Sequence, residues 1–481
     1  MSSHKLAAKS GLWFAVLRTL TQTISWVITV AIARILNPED YGLMALVGVV
    51  LDYLAVFSEL GLGAAIIQKD EITSDELSSN FWLSVFLGCA LALISVPAVF
   101  SMSWMMKEPR LIVTTPLIVV LFVVGSLMIV PFNLLMRECK FKEIGVIQLW
   151  AVIASSLSML ALAEMGFGFW SLIWGMVVLR VVTVALVFLY GNWWPDYRFR
   201  IKDVKPFLRF GIHVAGSRSL YSVLINSDKL IVGKILGAEV LGFYSFAMNL
   251  VSIPSEKIVS LVNQISFPVI SRVQNDVNRV QYIYIRITRY ITMLVAPMFL
   301  GGFFFGREIV QGILGEKWLP VVYLFKMLCL SQLIVSLTTI DSVVHNAQGR
   351  SHWVLNISIV YAALIPASIF LAAHFGLNAL VLPWLIFYPF LRLTFTYMTL
   401  RKLDLAISSY IRGLLPPILG SFFMIVGIYM VQFLYRFGGY LVLDTRTTLV
   451  QEVITGVILY LVYLYFFERK NVREILALAK S

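Results

Sequence analysis

The chain alternates between long apolar runs and short polar interruptions. Reading from one interruption to the next predicts helices over about 11–36, 40–68, 80–105, 113–136, 144–164 and 167–190. After the polar, basic stretch GNWWPDYRFRIKDVKPFLR the pattern resumes at about 210–236, 240–270, 283–305, 321–345, 353–373 and 377–400. Runs at about 411–435 and 448–467 follow. Each is about twenty residues or longer, the length needed to cross roughly 30 Å of hydrocarbon. The runs are continuously apolar and do not alternate, which excludes a β-barrel. The pattern predicts an all-α polytopic membrane protein with about fourteen transmembrane helices.

The pattern also repeats. Residues 29–46 read TVAIARILNPEDYGLMAL and residues 229–246 read KLIVGKILGAEVLGFYSF. Gly11, Ala15, Arg18 and Leu20 match Gly211, Ala215, Arg218 and Leu220 at the same offset. Further on, FGFWSLIWG (167–175) corresponds to FGLNALVLP (375–383), so a short insertion lies between, in GREIVQGILGEKW (306–318). Six helices per copy is an even number, so both copies enter the membrane from the same side and form parallel repeats. Two pseudo-symmetric six-helix bundles facing a central cleft are expected, with two C-terminal helices outside the symmetric core. The boundaries read as an N-terminal lobe over 1–195 and a C-terminal lobe over 196–404, preceded by the basic linker. Residues 405–481 hold the last two helices and an amphipathic tail.

Composition changes little in this picture. Of 481 residues 59% are hydrophobic and 13% charged, far less charge than a soluble domain of this size carries. The formal charge of +12 has a topological cause. Most lysines and arginines outside the spans fall in segments on one side, which orients both termini toward the cytoplasm and implies no nucleic-acid partner. Residues 1–10 are short and basic, and the apolar run behind them is too long for a signal-peptide core. Cys89, Cys139 and Cys329 lack metal or redox spacing. No GxxxxGK[ST] occurs, no histidine pair has metal-ligand spacing, and no connection is long enough to hold a soluble catalytic domain. His345 and His352 flank a cytoplasmic loop and are expected to face solvent or cap helices. No enzyme chemistry, metal or cofactor is expected.

The candidate chemistry lies in charges that interrupt the apolar runs: Arg18, Arg180, Arg218, Lys229, Lys257, Arg286, Arg289, Lys326 and Arg392, with Arg34 and Lys234 at helix ends. Arg286, Arg289 and Lys326 are close enough to helix ends to snorkel. The deeper ones each cost roughly 2.5–3.5 kcal/mol at a bilayer centre, so they must face water or find partners. Arg18 heads a polar stripe with Thr21, Gln22 and Ser25; Arg218 heads one with Tyr221, Ser222 and Asn226. Such residues either staple neighbouring helices through carbonyls or line an aqueous cavity. A cationic lumen selects an anionic cargo, and a guanidinium fork suits phosphate. The in-span acids Asp52, Glu59, Asp228, Glu256 and Asp341 either neutralise nearby cations or relay a proton or sodium ion. Gly61 and Gly63, inside the second run, mark close packing or a hinge.

The segments ARILNPEDYGLMAL, SELGLGAAIIQ and FPVISRVQND resemble the polysaccharide-exporter branch of the multidrug/oligosaccharidyl-lipid/polysaccharide exporter superfamily. Within it the chain is most similar to lipopolysaccharide-type flippases of the colanic acid exporter group. The resemblance implies two bundles around a V-shaped cavity, with helices thirteen and fourteen making a lipid-facing groove. It implies passage of an undecaprenyl-pyrophosphate-linked oligosaccharide from the inner to the outer leaflet of the bacterial inner membrane, by alternating access with proton or sodium coupling. A polysaccharide polymerase and chain-length machinery are the implied partners. Arg18, Arg34, Arg218 and Lys234 match the family's basic cavity helices; Arg180, Lys229, Lys257 and Arg392 are this chain's own candidates. Three rivals stand beside this reading, one of them a non-transporting scaffold for lipid-linked intermediates. A drug or cation extruder of the same superfamily should carry an acidic lumen. An intramembrane glycosyltransferase or polymerase usually carries a large outer loop.

Overall fold

A computed structural model describes the backbone of residues 2–59, 62–69, 71–437 and 445–469 and of residues 471 and 473. Side chains are described for most of these, but not for 2–12, 206–225, 256–265 or a few single positions such as 59. The described chain is helical throughout and divides into two compact units, Met1–Gly242 and Phe243–Ser481.

The first unit opens with α1 (Ser2–Ile35), α2 (Pro38–Glu59) and α3 (Leu62–Gln68). α4 (Ser74–Met106), α5 (Arg110–Val113), α6 (Thr115–Leu127) and α7 (Ile129–Arg137) follow. α8 (Phe141–Glu164), α9 (Trp170–Gly191) and the first leg of α10 (Ile201–Arg272) complete it. α1 packs along α8, α8 along α9, and α4 against α2 and α6. Local sequence sets the boundaries. Thr73 and Glu76 form a reciprocal capping box at the start of α4: Glu76 N donates to Thr73 Oγ1 at 3.3 Å and Thr73 N to Glu76 Oε2 at 3.1 Å. Lys107, in the left-handed region, closes α4.

The second unit holds the rest of α10 and then α11 (Val277–Phe304), α12 (Gly306–Ile313), α13 (Val321–Leu337), α14 (Ile340–Ala347) and α15 (Ser351–Ala373). A 3₁₀ turn at Leu377–Leu380 and a π-turn at Pro383–Phe387 lead into α16 (Tyr388–Lys402). α17 (Ile407–Phe437) and α18 (Thr445–Phe467) form the added pair. α11 is the central element, packed on α13 and α17. Its core joins Ile270, Val280, Tyr284, Ile340, Leu400 and Tyr410.

Thirteen described stretches are long and apolar enough to cross a membrane. One of them, Asn226–Ser252, is not straight: Gly237 sits at φ 84°, ψ 177°, a conformation that only glycine adopts without strain. The legs of α10 on either side of Gly237, 201–236 and 238–272, fall where the seventh and eighth helices were expected. The repeat is visible inside the helices as well. Pro97 in α4 and Pro297 in α11 stand 200 positions apart, each in the third helix of its half. The fourth helix is broken in both halves, at Met128 between α6 and α7 and at Thr338–Thr339 between α13 and α14. Continuous apolar runs were expected there. Pro131, three residues beyond Met128, cannot donate to Leu127 O and so ends α6 there, a signal present in the sequence; no glycine or proline sits at Thr338–Thr339, so composition could not reveal that second break.

Candidate functional site

Most of the cations expected from sequence stand in the first unit. Arg18 is exposed near the start of the first apolar stretch, Val16–Ile35, with its guanidinium 6.0 Å from the Phe14 ring. Thr21, next on its stripe, is turned inward and donates to Leu17 O at 2.8 Å. Arg34 is half-buried in the last turn of α1, where a cation complements the helix dipole. Lys234 donates to Met105 O at the C-terminal end of α4, satisfying a carbonyl that the helix itself leaves unpaired.

Lys229, Asp228 and Asn226 form one polar knot in α10. Lys229 Nζ donates to Asn226 Oδ1 at 2.9 Å, and Asp228 Oδ1 accepts from Lys229 N at 2.8 Å. Tyr53 of α2 lies within electrostatic reach of Asp228, while its neighbour Asp52 is exposed. Arg180, on α9, reaches the break in the fourth helix and points an N–H at Met128 Sδ, 3.4 Å away. The side chains of Arg218, Lys257, Glu59 and Glu256, and all of Gly61, lie outside the described residues.

The second unit has its own cluster at the corresponding break. Asp341, at the start of α14, is completely buried. Its carboxylate accepts from Tyr284 Oη at 2.6 Å and from Thr396 Oγ1 at 2.5 Å. Arg392, one turn before Thr396 on α16, lies within electrostatic reach of Asp341 and 5.8 Å from the Tyr388 ring; its Nε has no hydrogen-bond partner. Thus Arg180 and Arg392 each sit on the sixth helix of their half and approach the broken fourth helix. Sequence reading found both arginines but missed Tyr284 and Thr396. The only available signal for Thr396 was its i+4 spacing from Arg392.

Two expectations about charge and exposure need correction. His345 does not face solvent: it is 1% exposed, stacked between Trp353 and Phe395, with Nε2 3.0 Å from Thr399 Oγ1. The break before α14 turns the histidine inward. Arg289 does not snorkel either. It pairs with the fully buried carboxylate of Glu468, just beyond α18, and so ties α11 to the added helix pair. Arg286 stays between the Tyr282 and Tyr290 rings.

The quoted repeat contains a contact that sequence reading did not single out. A Cβ placed on Gly42 would lie 1.7 Å from Ala238 O, and one on Gly242 would lie 1.7 Å from Pro38 O. Pro38 and Ala238, like Gly42 and Gly242, are repeat partners, so the contact is reciprocal and no other residue fits at either place. Around it, Asp40 accepts from Asn37 N at 2.8 Å and Phe169 N at 3.0 Å. Glu39 and Glu108 hold Arg110 at 2.5 and 2.9 Å, and the hydrogen bond that Arg110 donates to the Glu39 carboxylate raises the pKa of the guanidinium. Gly63 is a packing position, with the Asn133 side chain 2.6 Å from where its Cβ would be.

Helical repeats, in-span cations and an added helix pair define the class: a multi-pass membrane protein built on a duplicated carrier fold. The fold is that of the lipid II flippase MurJ in its inward closed conformation, with a TM-score of 0.71 over 96% of this chain and 100% of that one at 14% identity. The chain belongs to the polysaccharide biosynthesis protein family, which matches residues 31–323. The succinoglycan biosynthesis transport protein ExoT of Rhizobium meliloti (strain 1021) is 24% identical over 98% of this chain and 94% of its own length. The lipopolysaccharide biosynthesis protein WzxC of Escherichia coli (strain K12) is 26% identical over 70% of this chain and 69% of its own. The family expected from the motifs is the family found.

Proposed function

We propose that the chain is a flippase for an undecaprenyl-pyrophosphate-linked oligosaccharide, working by alternating access in exopolysaccharide or lipopolysaccharide synthesis. The cargo would pass from the cytoplasmic to the periplasmic leaflet of a bacterial inner membrane, with both termini cytoplasmic. The lobes would be 1–195 and 196–404, with 405–481 beside them. A pyrophosphate cannot shed its hydration in hydrocarbon. A wet cleft lined by Arg18, Arg34, Arg218, Lys234, Arg180, Lys229, Lys257 and Arg392 would replace that hydration while the polyprenyl tail stays in lipid. A polymerase and chain-length machinery would consume the product.

The observation that carries this reading is the duplication of cations along the repeat, at 18 and 218, at 34 and 234, and on the sixth helix of each half, in a polysaccharide biosynthesis family member. Lys234 and Arg34 also serve helix ends, so Arg18, Arg218, Arg180 and Arg392 are the stronger cargo contacts. For coupling, Asp341 is the best of the five acids. It is buried, held by two hydroxyl donors, and among the described residues no cation lies within ion-pair distance of it. A proton or a sodium ion would bind there, and moving one charge through 100 mV is worth about 2.3 kcal/mol.

The test is export in cells that depend on this chain. Arg18→Ala and Arg218→Ala should each abolish export and leave membrane levels near normal, with the lipid-linked intermediate accumulating on the inner leaflet. Lysine at either place should rescue only in part, because the bidentate fork is lost. Wild-type export by both alanine variants would defeat the cargo assignment.

A further inference from the structure

Between α9 and α10 the linker Asn192–Arg200 is strapped across the start of α4. Asp196 N donates to Ser78 Oγ at 3.0 Å, Trp82 Nε1 to Asp196 O at 2.9 Å, and Arg200 N to Ser79 Oγ at 3.2 Å. Ser78 and Ser79 are fully buried, so their hydroxyls are committed to holding this strand. The strap nevertheless leaves its rings outside: Trp194 is 71% exposed and Tyr197 94%. These rings lie along the helices. Tyr197 stacks on Trp82 at 5.7 Å, and Phe199 meets Phe86 edge-on at 5.6 Å, about three turns into α4. The charges point the other way. Arg198 and Arg200 both lean back on Asp75, in the first turn of α4, at 3.4 and 3.5 Å. One carboxylate therefore answers two guanidinium groups.

Rings set deeper along a membrane helix, with cations drawn up to its mouth, is the arrangement that a bilayer interface selects. The ring surface continues into the exposed apolar flank of α4 at Phe86, Leu93 and Ile94, which faces acyl chains in a multi-pass protein. We propose that this strap seats the phosphate headgroups of anionic phospholipids. Arg198 and Arg200 hold the phosphates in bidentate fashion, and Trp194, Tyr197 and Phe199 sit at headgroup level. The site would anchor the connection between the two repeats to one leaflet, independently of any cargo.

The experiment uses the full-length protein, purified with added phosphatidylglycerol or phosphatidylcholine and examined by native mass spectrometry. The wild type should retain phosphatidylglycerol preferentially. R198Q/R200Q should lower that retention, about fivefold per arginine removed, and leave phosphatidylcholine unchanged. D75N, which frees both guanidinium groups without touching the rings, should raise phosphatidylglycerol retention and guards against misfolding of the double variant. Equal retention of the two lipids by the wild type, or unchanged phosphatidylglycerol retention in D75N, overturns the proposal. So does tight retention of a soluble protein or nucleic acid at the strap in place of lipid.

Discussion

Single residues carry the largest local stakes where charge is withdrawn from water. Glu468 is wholly buried and Arg289 is its cation. Breaking such a pair from one side costs about 3–5 kcal/mol, because the remaining ion has neither water nor partner. Arg289→Ala should therefore lower the thermal midpoint in detergent sharply, toward the smaller end of that range since the guanidinium keeps some solvent contact. Arg289→Met with Glu468→Leu should recover most of the loss; if the double variant is as unstable as the single one, the pair is not the cause. Asp341 poses a different problem, because among the described residues no cation forms an ion pair with it and two hydroxyl donors hold its carboxylate. Asp341→Asn cannot accept from both Tyr284 and Thr396 in the same way, and it cannot bind a proton. Transport by this variant in proteoliposomes should become insensitive to an imposed proton or sodium gradient, whereas unchanged gradient dependence would remove Asp341 from the coupling role.

At the scale of elements the reciprocal glycine contact is the most constrained feature. Two backbone carbonyls occupy the places where Cβ atoms would stand, so Gly42→Ala or Gly242→Ala must push the turns at 37–42 and 237–242 apart. Overpacking of this kind typically costs about 1–3 kcal/mol. Under the proposed alternating access, a cycle in which these turns meet and part would be biased by the substitutions toward the parted form. Amide hydrogen exchange should rise in both turns for either single variant, since each glycine serves the other's partner. Protection lost in only one turn would contradict the reciprocity. The broken fourth helices are a second matched feature, and Arg180 and Arg392 approach them from the sixth helix in each half.

For the whole molecule, the crossings and the distribution of basic residues make one joint prediction. Fourteen crossings, with the bent α10 crossing twice, would put both termini on the same side, and the basic segments would place that side in the cytoplasm. Reporter tags at the two ends should both be shielded from a reagent added outside intact cells. Opposite accessibility would mean that one crossing is miscounted, and the bent stretch around Gly237 is where that error would lie.

The all-helical multi-pass fold, the repeat and the family motifs were legible in the amino-acid order, because each depends on local hydrophobic length or on residue identity at fixed spacing. The in-span arginines were legible for the same reason: a charge in an apolar run is conspicuous wherever the run folds. What the order did not reveal is who meets whom. That Arg289 finds Glu468, that His345 turns inward beside Thr399, and that Tyr284 and Thr396 converge on Asp341 depend on helices far apart in the chain. Gly42 and Gly242 stood in plain view as repeat partners, yet only the approach of two backbones explains why neither can carry a side chain. Hydrophobicity acts residue by residue and survives in one dimension; pairing of buried polar groups is a property of packed surfaces, and only the tertiary structure decides it.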